Sequence, residues 1–249
     1  MALNPDLTPK WSRSLNKILN DACGVIVPID DTVANCRAGA RMGVDPSTNE
    51  APAARVTDSS SSSPVAVPDG VIYGAFTGYN GSRGHMVKLD LAGTVQATHD
   101  FGWDTTPAIH HHDKTYSVIT KDNNYASNSE GVPLGPFSIK QLSPSLKVEW
   151  AYRATNKQSC VRAEDGTVSC VEDHPNGFEW CINAPVVDNK GTVFANSEDG
   201  NLYAIAQGGT EKGRIFLEMA VGAAYTPLSI DAKGRIYTLN DGKMSIIGR

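Results

Sequence analysis

A chain of 249 residues, 40% hydrophobic and 20% charged, can bury a sizeable core and reads as globular rather than disordered. A net charge of −5 offers no basic surface to nucleic acid, and no apolar run is long enough to span a membrane. Gly (23) and Pro (14) are abundant, which points to many short strands joined by turns and so to an all-β fold.

In chain order, the first predicted element is a strand within residues 1–20. Residues 1–5 carry neither a charged n-region nor an apolar h-region and predict no signal peptide in this chain. The stretch Leu3-Asn4-Pro5-Asp6-Leu7-Thr8-Pro9-Lys10-Trp11 reads almost like Leu142-Ser143-Pro144-Ser145-Leu146-Lys147-Val148-Glu149-Trp150, which marks 1–20 as an outer strand without its own blade. Residues 21–60 predict a loop that a Cys23–Cys36 disulfide would clip. The serine run 59–63 is a linker turning into an inner strand, because no Gly-x-Ser-x-Gly elbow is present.

Four units follow, at 61–104, 105–181, 182–221 and 222–249. Each opens on a short apolar strand after Pro64, Pro107, Pro185 or Pro227, then returns as an alternating β-branched or aromatic strand. Third strands are expected at 85–89, 137–142, 201–205 and 243–247, and fourth strands at 95–99, 147–151 and 214–217. Four antiparallel strands recurring about every forty residues predict propeller blades. The 105–181 unit is stretched by insertions at 123–136 and 156–180, and the last unit ends without a fourth strand. The opening segment is therefore expected to pair with 244–247. This closes either a four-bladed ring in one chain or an eight-bladed ring in a homodimer built by strand completion.

Cys160 and Cys170 flank the turn Glu164-Asp165-Gly166-Thr167 and predict a cross-strand disulfide, with Cys181 as the rival partner of Cys170. Paired cysteines argue for a periplasmic or extracellular location in a natural protein longer at its N-terminus.

The run Ala184-Pro185-Val186-Val187-Asp188, then Gly191-Thr192-Val193-Phe194-Ala195 and Glu198-Asp199-Gly200-Asn201-Leu202-Tyr203-Ala204-Ile205, resembles the PQQ-like repeat. That repeat occurs in quinoprotein dehydrogenases and in the outer-membrane assembly scaffold BamB. The resemblance spans residues 61–249 and the first twenty, and implies a single β-propeller domain over 1–249. Ring members of the family have seven or eight blades, so a start in mid-blade implies a truncated or alternative start and favours two half-rings. The family's dehydrogenases use adjacent cysteines, a catalytic Asp, a Ca²⁺ site and stacking Trp residues. No adjacent cysteine pair stands here, the repeat's docking Trp is largely absent, and bound PQQ is not expected.

In such a fold the loops between blades, and those between second and third strands, crowd one mouth of the channel. They carry Asp58, Asn80, Trp103, Asp104, Asp122, His174, Trp180, Asn183, Glu198, Asp199, Tyr225 and Asp241. Asp104, Asp122, His174 and Glu198 are the candidate catalytic residues, and Trp103, Trp180 and Tyr225 the candidate cofactor-binding residues. Asp104, His174, Glu198, Asp199 and Asp241 are candidate ligands of a divalent cation: oxygen donors suit Ca²⁺, and His174 adds Zn²⁺. A plainer account is that Asp and Asn recur there as turn formers. His110-His111-His112 places His110 and His112 on one face of a strand, but its position near the opposite mouth reads as a solvated turn.

Three functional readings follow. The first is a binding or scaffold propeller without chemistry, engaging a small-molecule, saccharide or protein ligand at the mouth. The second is a metal-assisted ester or phosphoester hydrolase built on His174 and the mouth carboxylates. The third is a degenerate quinoprotein relative.

Overall fold

The structure, a computed structural model, describes residues 1–13, 56–57, 62–77, 84–101, 105–123, 135–180, 182, 184–222 and 227–248. Cys23, Cys36, Asp58, Asn80, Trp103, Asp104, Cys181, Asn183 and Tyr225 lie outside these residues, and with them the expectations placed on them. Every described element is a strand, and no described helix is long and apolar enough to cross a membrane.

The chain opens with a hairpin of β1 (Ala2–Leu3) and β2 (Pro9–Trp11). β3 (Val56–Thr57) and β4 (Val65–Val67) then lie end to end along the inner edge of β5 (Gly70–Thr77). With β6 (Gly84–Asp90) and β7 (Val95–Phe101) they form the first blade. The second blade is β8 (Ala108–His112), β9 (Thr115–Asn123), β10 (Phe137–Leu142) and β11 (Val148–Arg153). A separate hairpin follows, β12 (Gln158–Arg162) and β13 (Val168–Glu172). The third blade is β14 (Val186–Val187), β15 (Val193–Asn196), β16 (Asn201–Ala206) and β17 (Thr210–Phe216). The fourth is three-stranded: β18 (Ser229–Ile230), β19 (Ile236–Asn240) and β20 (Lys243–Ile247). Every neighbouring pair is antiparallel and all but β3–β5 are sequential, and the inner strands β8, β14 and β18 stand side by side. The fold is thus a β-propeller of four-stranded antiparallel blades.

Burial explains why middle and outer strands read so differently. In β9 and β10 nearly every residue is buried, because each blade has a neighbour on both faces. β17 is exposed along most of its length, as an outermost strand should be. One core joins the last three blades through Ile119, Ile139, Trp180, Tyr203, Ile205 and Ile236. A second joins the first two through Ile72, Met86, Tyr116, Val118 and Leu142. Fully burying one such side chain contributes about 1.5–3 kcal/mol.

A single turn recurs between third and fourth strands. Asn4 N donates to Thr8 O at 2.9 Å, Asp90 N to Thr94 O at 2.9 Å and Ser143 N to Lys147 O at 2.8 Å. The fourth turn residue takes a left-handed backbone each time: Leu7, Gly93, Leu146 and, in the third blade, Gly209. The ladder shifts register just beyond the turn in all four hairpins; outside the third blade, where Gly208 is left-handed as well, this is the mark of a type I turn closed by a bulge. The opening hairpin is therefore the end of a third strand plus a fourth strand, as its likeness to 142–150 suggests.

Its position differs from expectation. Within the chain β2 pairs with β1, not with β20, so the ladder to 244–247 is not formed in one copy. The hairpin lies instead against the first blade: Trp11 Nε1 donates to Leu91 O at 3.0 Å, and a Cβ at Gly93 would meet the Trp11 ring at 2.7 Å. Trp150 stands over Gly209 of the third blade in the same way, at 3.2 Å from the position of an added Cβ. Two of the four Trp thus dock a blade onto its successor, where docking Trp residues were expected to be largely absent. The opening hairpin takes the place of a blade preceding the first.

Cys160 and Cys170 are directly opposite on β12 and β13 and form a disulfide, as expected. This hairpin bridges to the connection between the third and fourth blades: Arg162 N donates to Glu218 O at 2.7 Å, and Ala220 N to Cys160 O at 2.8 Å.

Candidate functional site

Two of the mouth-side acids, Asp199 and Asp122, are held by structural contacts. Asp199 is 1% exposed, and its carboxylate accepts Tyr203 Oη at 2.5 Å, Asn156 Nδ2 at 2.9 Å and the Asn201 amide at 2.9 Å. Burial first, then the Asp199 charge, pushes the Tyr203 phenol well above the ordinary tyrosine range. Asp122 pairs with Lys140. Glu198 is half-buried and tied through its backbone, donating to Glu179 O at 3.1 Å and accepting Val221 N at 2.6 Å. Asp241 is exposed in a tight turn, its amide donating to Gly222 O at 2.8 Å. Among the described residues, no three His, Cys, Asp or Glu converge where a cation could sit. Glu198 and Asp199 share the β15–β16 turn, but His174 and Asp241 lie on other connections and do not join them, and the Asp199 oxygens are already taken.

His174 belongs to the segment after β13, stacked on Phe178 with ring centroids 3.7 Å apart. Its Nδ1 faces Asp173 Oδ1 at 2.6 Å and Ser159 Oγ at 3.2 Å, and Ser159 Oγ donates to Asp173 at 2.7 Å. These are the residue types of a nucleophilic triad in the wrong arrangement. A triad needs acid and hydroxyl on opposite ring nitrogens, whereas here both meet Nδ1.

Trp180 is a correction to the sequence reading. It is 0% exposed, edge-on to Tyr203 at 5.2 Å and Tyr152 at 6.0 Å, so neither ring face is open to a cofactor. Buried Asn123 clamps its backbone, donating to Trp180 O at 3.2 Å and accepting Trp180 N at 3.0 Å.

The histidine run also differs from a solvated turn. His110 is 8% exposed in the middle of β8, its ring 4.8 Å from that of His112 and covered by Gly191 of the third blade. His112 Nε2 lies 2.9 Å from Ser117 Oγ, while His110 Nδ1 has no hydrogen-bond partner among the described residues. Burial, then the neighbouring His112, lowers the His110 pKa. The folded state therefore holds this ring neutral, while the unfolded chain protonates it near pH 6.5. Stability is then full above about pH 6.5 and falls as pH drops toward the lower folded value. Denaturation midpoints measured from pH 7.5 to 5 should decline, and His110→Gln should flatten that slope. An identical slope in the variant would remove His110 as its source.

The cavity with ligand-like chemistry lies elsewhere on the mouth side, at the outer half of the second blade. It measures about 430 Å³, and its apolar lining includes Pro136, Pro175 and the edge of the buried Phe137. Arg153, at the end of β11, and Lys157, just before β12, line it with Thr155 and Asn176. Neither the Arg153 nor the Lys157 side chain has a partner among the described residues. Sequence reasoning missed this site because it weighed acids and histidines. The available signal was a pair of cations, Arg153 and Lys157, flanking the fourth-strand exit.

No family model and no curated protein matches the chain. Among solved structures it is similar to a protein of unknown function from Bacteroides caccae, at 9% identity over 68% of this chain and 48% of that one, with a TM-score of 0.37. It is also similar to the Dos1 propeller, at 8% identity over 74% and 56% of the two chains and a TM-score of 0.34. A third is a gluconolactonase from Xanthomonas campestris, at 10% identity over 71% and 77% and a TM-score of 0.21. The chain spans about half the length of the first two. By its own sheets and registers, it is a β-propeller of four-stranded antiparallel blades.

Proposed function

We propose that the chain is a binding propeller of the PQQ-like repeat type, without chemistry of its own, whose cleft between Arg153 and Lys157 takes a small anionic ligand with a flat apolar face. Two cations with no partner among the described residues, beside an apolar lining, carry this reading. A cleft of about 430 Å³ lies within the ordinary range for small-ligand sites. The exposed rings of Pro136 and Pro175 suit the C–H face of a sugar ring, and a guanidinium suits a carboxylate through two parallel hydrogen bonds. A uronic acid unit combines both features. An oxidising location, periplasmic or extracellular, belongs to the same reading and is supported by the Cys160–Cys170 bridge.

No described observation favours the metal-assisted hydrolase or the quinoprotein reading over this one. Calorimetric titration with a glucuronate-containing oligosaccharide and its neutral glucose counterpart tests it. The acidic ligand should bind, the neutral one should bind at least about tenfold more weakly, and Arg153→Ala/Lys157→Ala should remove the difference, since hydrogen bonds to charged groups contribute roughly 1.5–3 kcal/mol each. Equal binding of the two sugars, or an unaltered double variant, would defeat the proposal.

A further inference from the structure

The β12–β13 hairpin presents a surface independent of the cleft at its base. β12 is engaged on both sides. It pairs with β13 along one edge, and along the other Arg162 N donates to Glu218 O and Ala220 N to Cys160 O. β13 is paired on the β12 side alone among the described residues. The ladder fixes which of its groups are left over. Ala163 N donates to Thr167 O and Asp173 N to Lys157 O. In an antiparallel ladder bonded and non-bonded pairs alternate, so Val161 with Ser169 and Ser159 with Val171 are the bonded pairs between those two. Val168, Cys170 and Glu172 therefore turn their amides and carbonyls outward, as Cys160 and Arg162 do on the opposite edge.

This edge is open to solvent, since every residue from 163 to 173 is exposed. It carries none of the Pro, Lys or bulge by which free edges are commonly guarded. The Cys160–Cys170 bridge ties it to β12, so an incoming strand meets a pre-formed template. Val161 and Val171, diagonal neighbours on one face, are 48% and 66% exposed, and Val168 on the other face is 41% exposed. Charge selects the occupant. Glu164 and Asp165 stand at one end of the edge and Glu172 and Asp173 at the other, while the Arg162 guanidinium is committed to the carbonyls of Phe216, Leu217 and Gly166. A second copy laid along β13 would bring two such acidic sets together, whereas a strand with cations at both ends complements them.

We propose that β13 is a docking edge for an extended segment of a partner protein, β-branched at its centre and flanked by Lys or Arg, which adds to the hairpin as a further strand.

The probe is a fluorescein-labelled peptide, Lys-Lys-Val-Thr-Val-Thr-Val-Lys-Lys, titrated into the full chain and followed by anisotropy. It should bind, and binding should slow amide exchange at Val168, Cys170 and Glu172. Three changes should each weaken it at least about tenfold, because strand addition rests on main-chain bonds and on the charge match. The first is N-methylation of the central peptide amides, and the second is Glu in place of the four peptide lysines. The third is Val168→Pro, which removes an amide that makes no bond in the free chain. Absence of binding, or undiminished binding after any of the three changes, would overturn the proposal. So would a two-copy particle on a sizing column that Val168→Pro returns to 26.6 kDa, because a second copy would then hold the edge.

Discussion

Trp180→Ala is expected to cost about 3–5 kcal/mol of folding stability, the range for truncating a fully buried aromatic side chain. No other fully buried side chain among the described residues is larger, and it sits where the second and third blades meet, against Tyr152 and Tyr203. The cavity left behind could not collapse readily, because Asn123 pins the Trp180 backbone from β9 and the surrounding strands are locked in ladders. Since native proteins are stable by only about 5–15 kcal/mol, such a loss should appear as a large drop in the urea midpoint. Trp180→Phe should recover much of it by refilling the volume. If Trp180 served instead as a stacking platform at the mouth, its replacement would spare stability and abolish binding; an unchanged midpoint in the Ala variant would therefore count against its core role.

Asp199→Ala is expected to destabilise by about 2–4 kcal/mol, because it strands three donors at a buried position, and each unsatisfied buried group costs roughly 1–3 kcal/mol with incomplete additivity. The three are the Tyr203 hydroxyl, the Asn156 amide and the Asn201 backbone amide. Asp199→Asn keeps acceptor oxygen and volume, so its loss should be smaller. Removing the charge should also move the Tyr203 phenol back toward its ordinary range, since Asp199 is one cause of the upward shift. Ultraviolet titration of the tyrosines reads this directly. A chelator should leave the wild-type midpoint where it is. A midpoint that falls with chelator as it does with Asp199→Ala would reinstate Asp199 as a metal ligand.

Much of the fold is legible in the sequence because its determinants are local. The turn at 142–148 and its copy at 3–9 need only neighbouring residues to form, so the likeness of the two stretches translates into the same hydrogen bonds and the same left-handed leucines, Leu7 and Leu146. The Cys160–Cys170 bridge is legible for the same reason: a hairpin turn alone puts those residues opposite one another. The recurring Asp188 and Asp231 are legible as turn formers, each accepting two backbone amides of its own turn.

The site is less legible. Asp199 and Asp241 look alike as acids beside glycines after a second strand, yet one is a buried hub and the other a solvent-facing turn residue. The difference comes from Asn156, which an insertion of unpredictable path carries onto Asp199. His110 reads as exposed until Gly191, about eighty residues on, closes over it. Trp11 reads as part of the last blade until Gly93 shows which blade it docks on.

By itself the sequence determined the strands, their turns, the blade repeat and the disulfide, because each arises from residues a few positions apart. Only the tertiary structure decided which blade the opening hairpin joins, which acids are buried and where Arg153 and Lys157 come to line one cavity. Those outcomes depend on how separate blades face one another, and a fourfold repeat leaves that choice open at the level of any one blade.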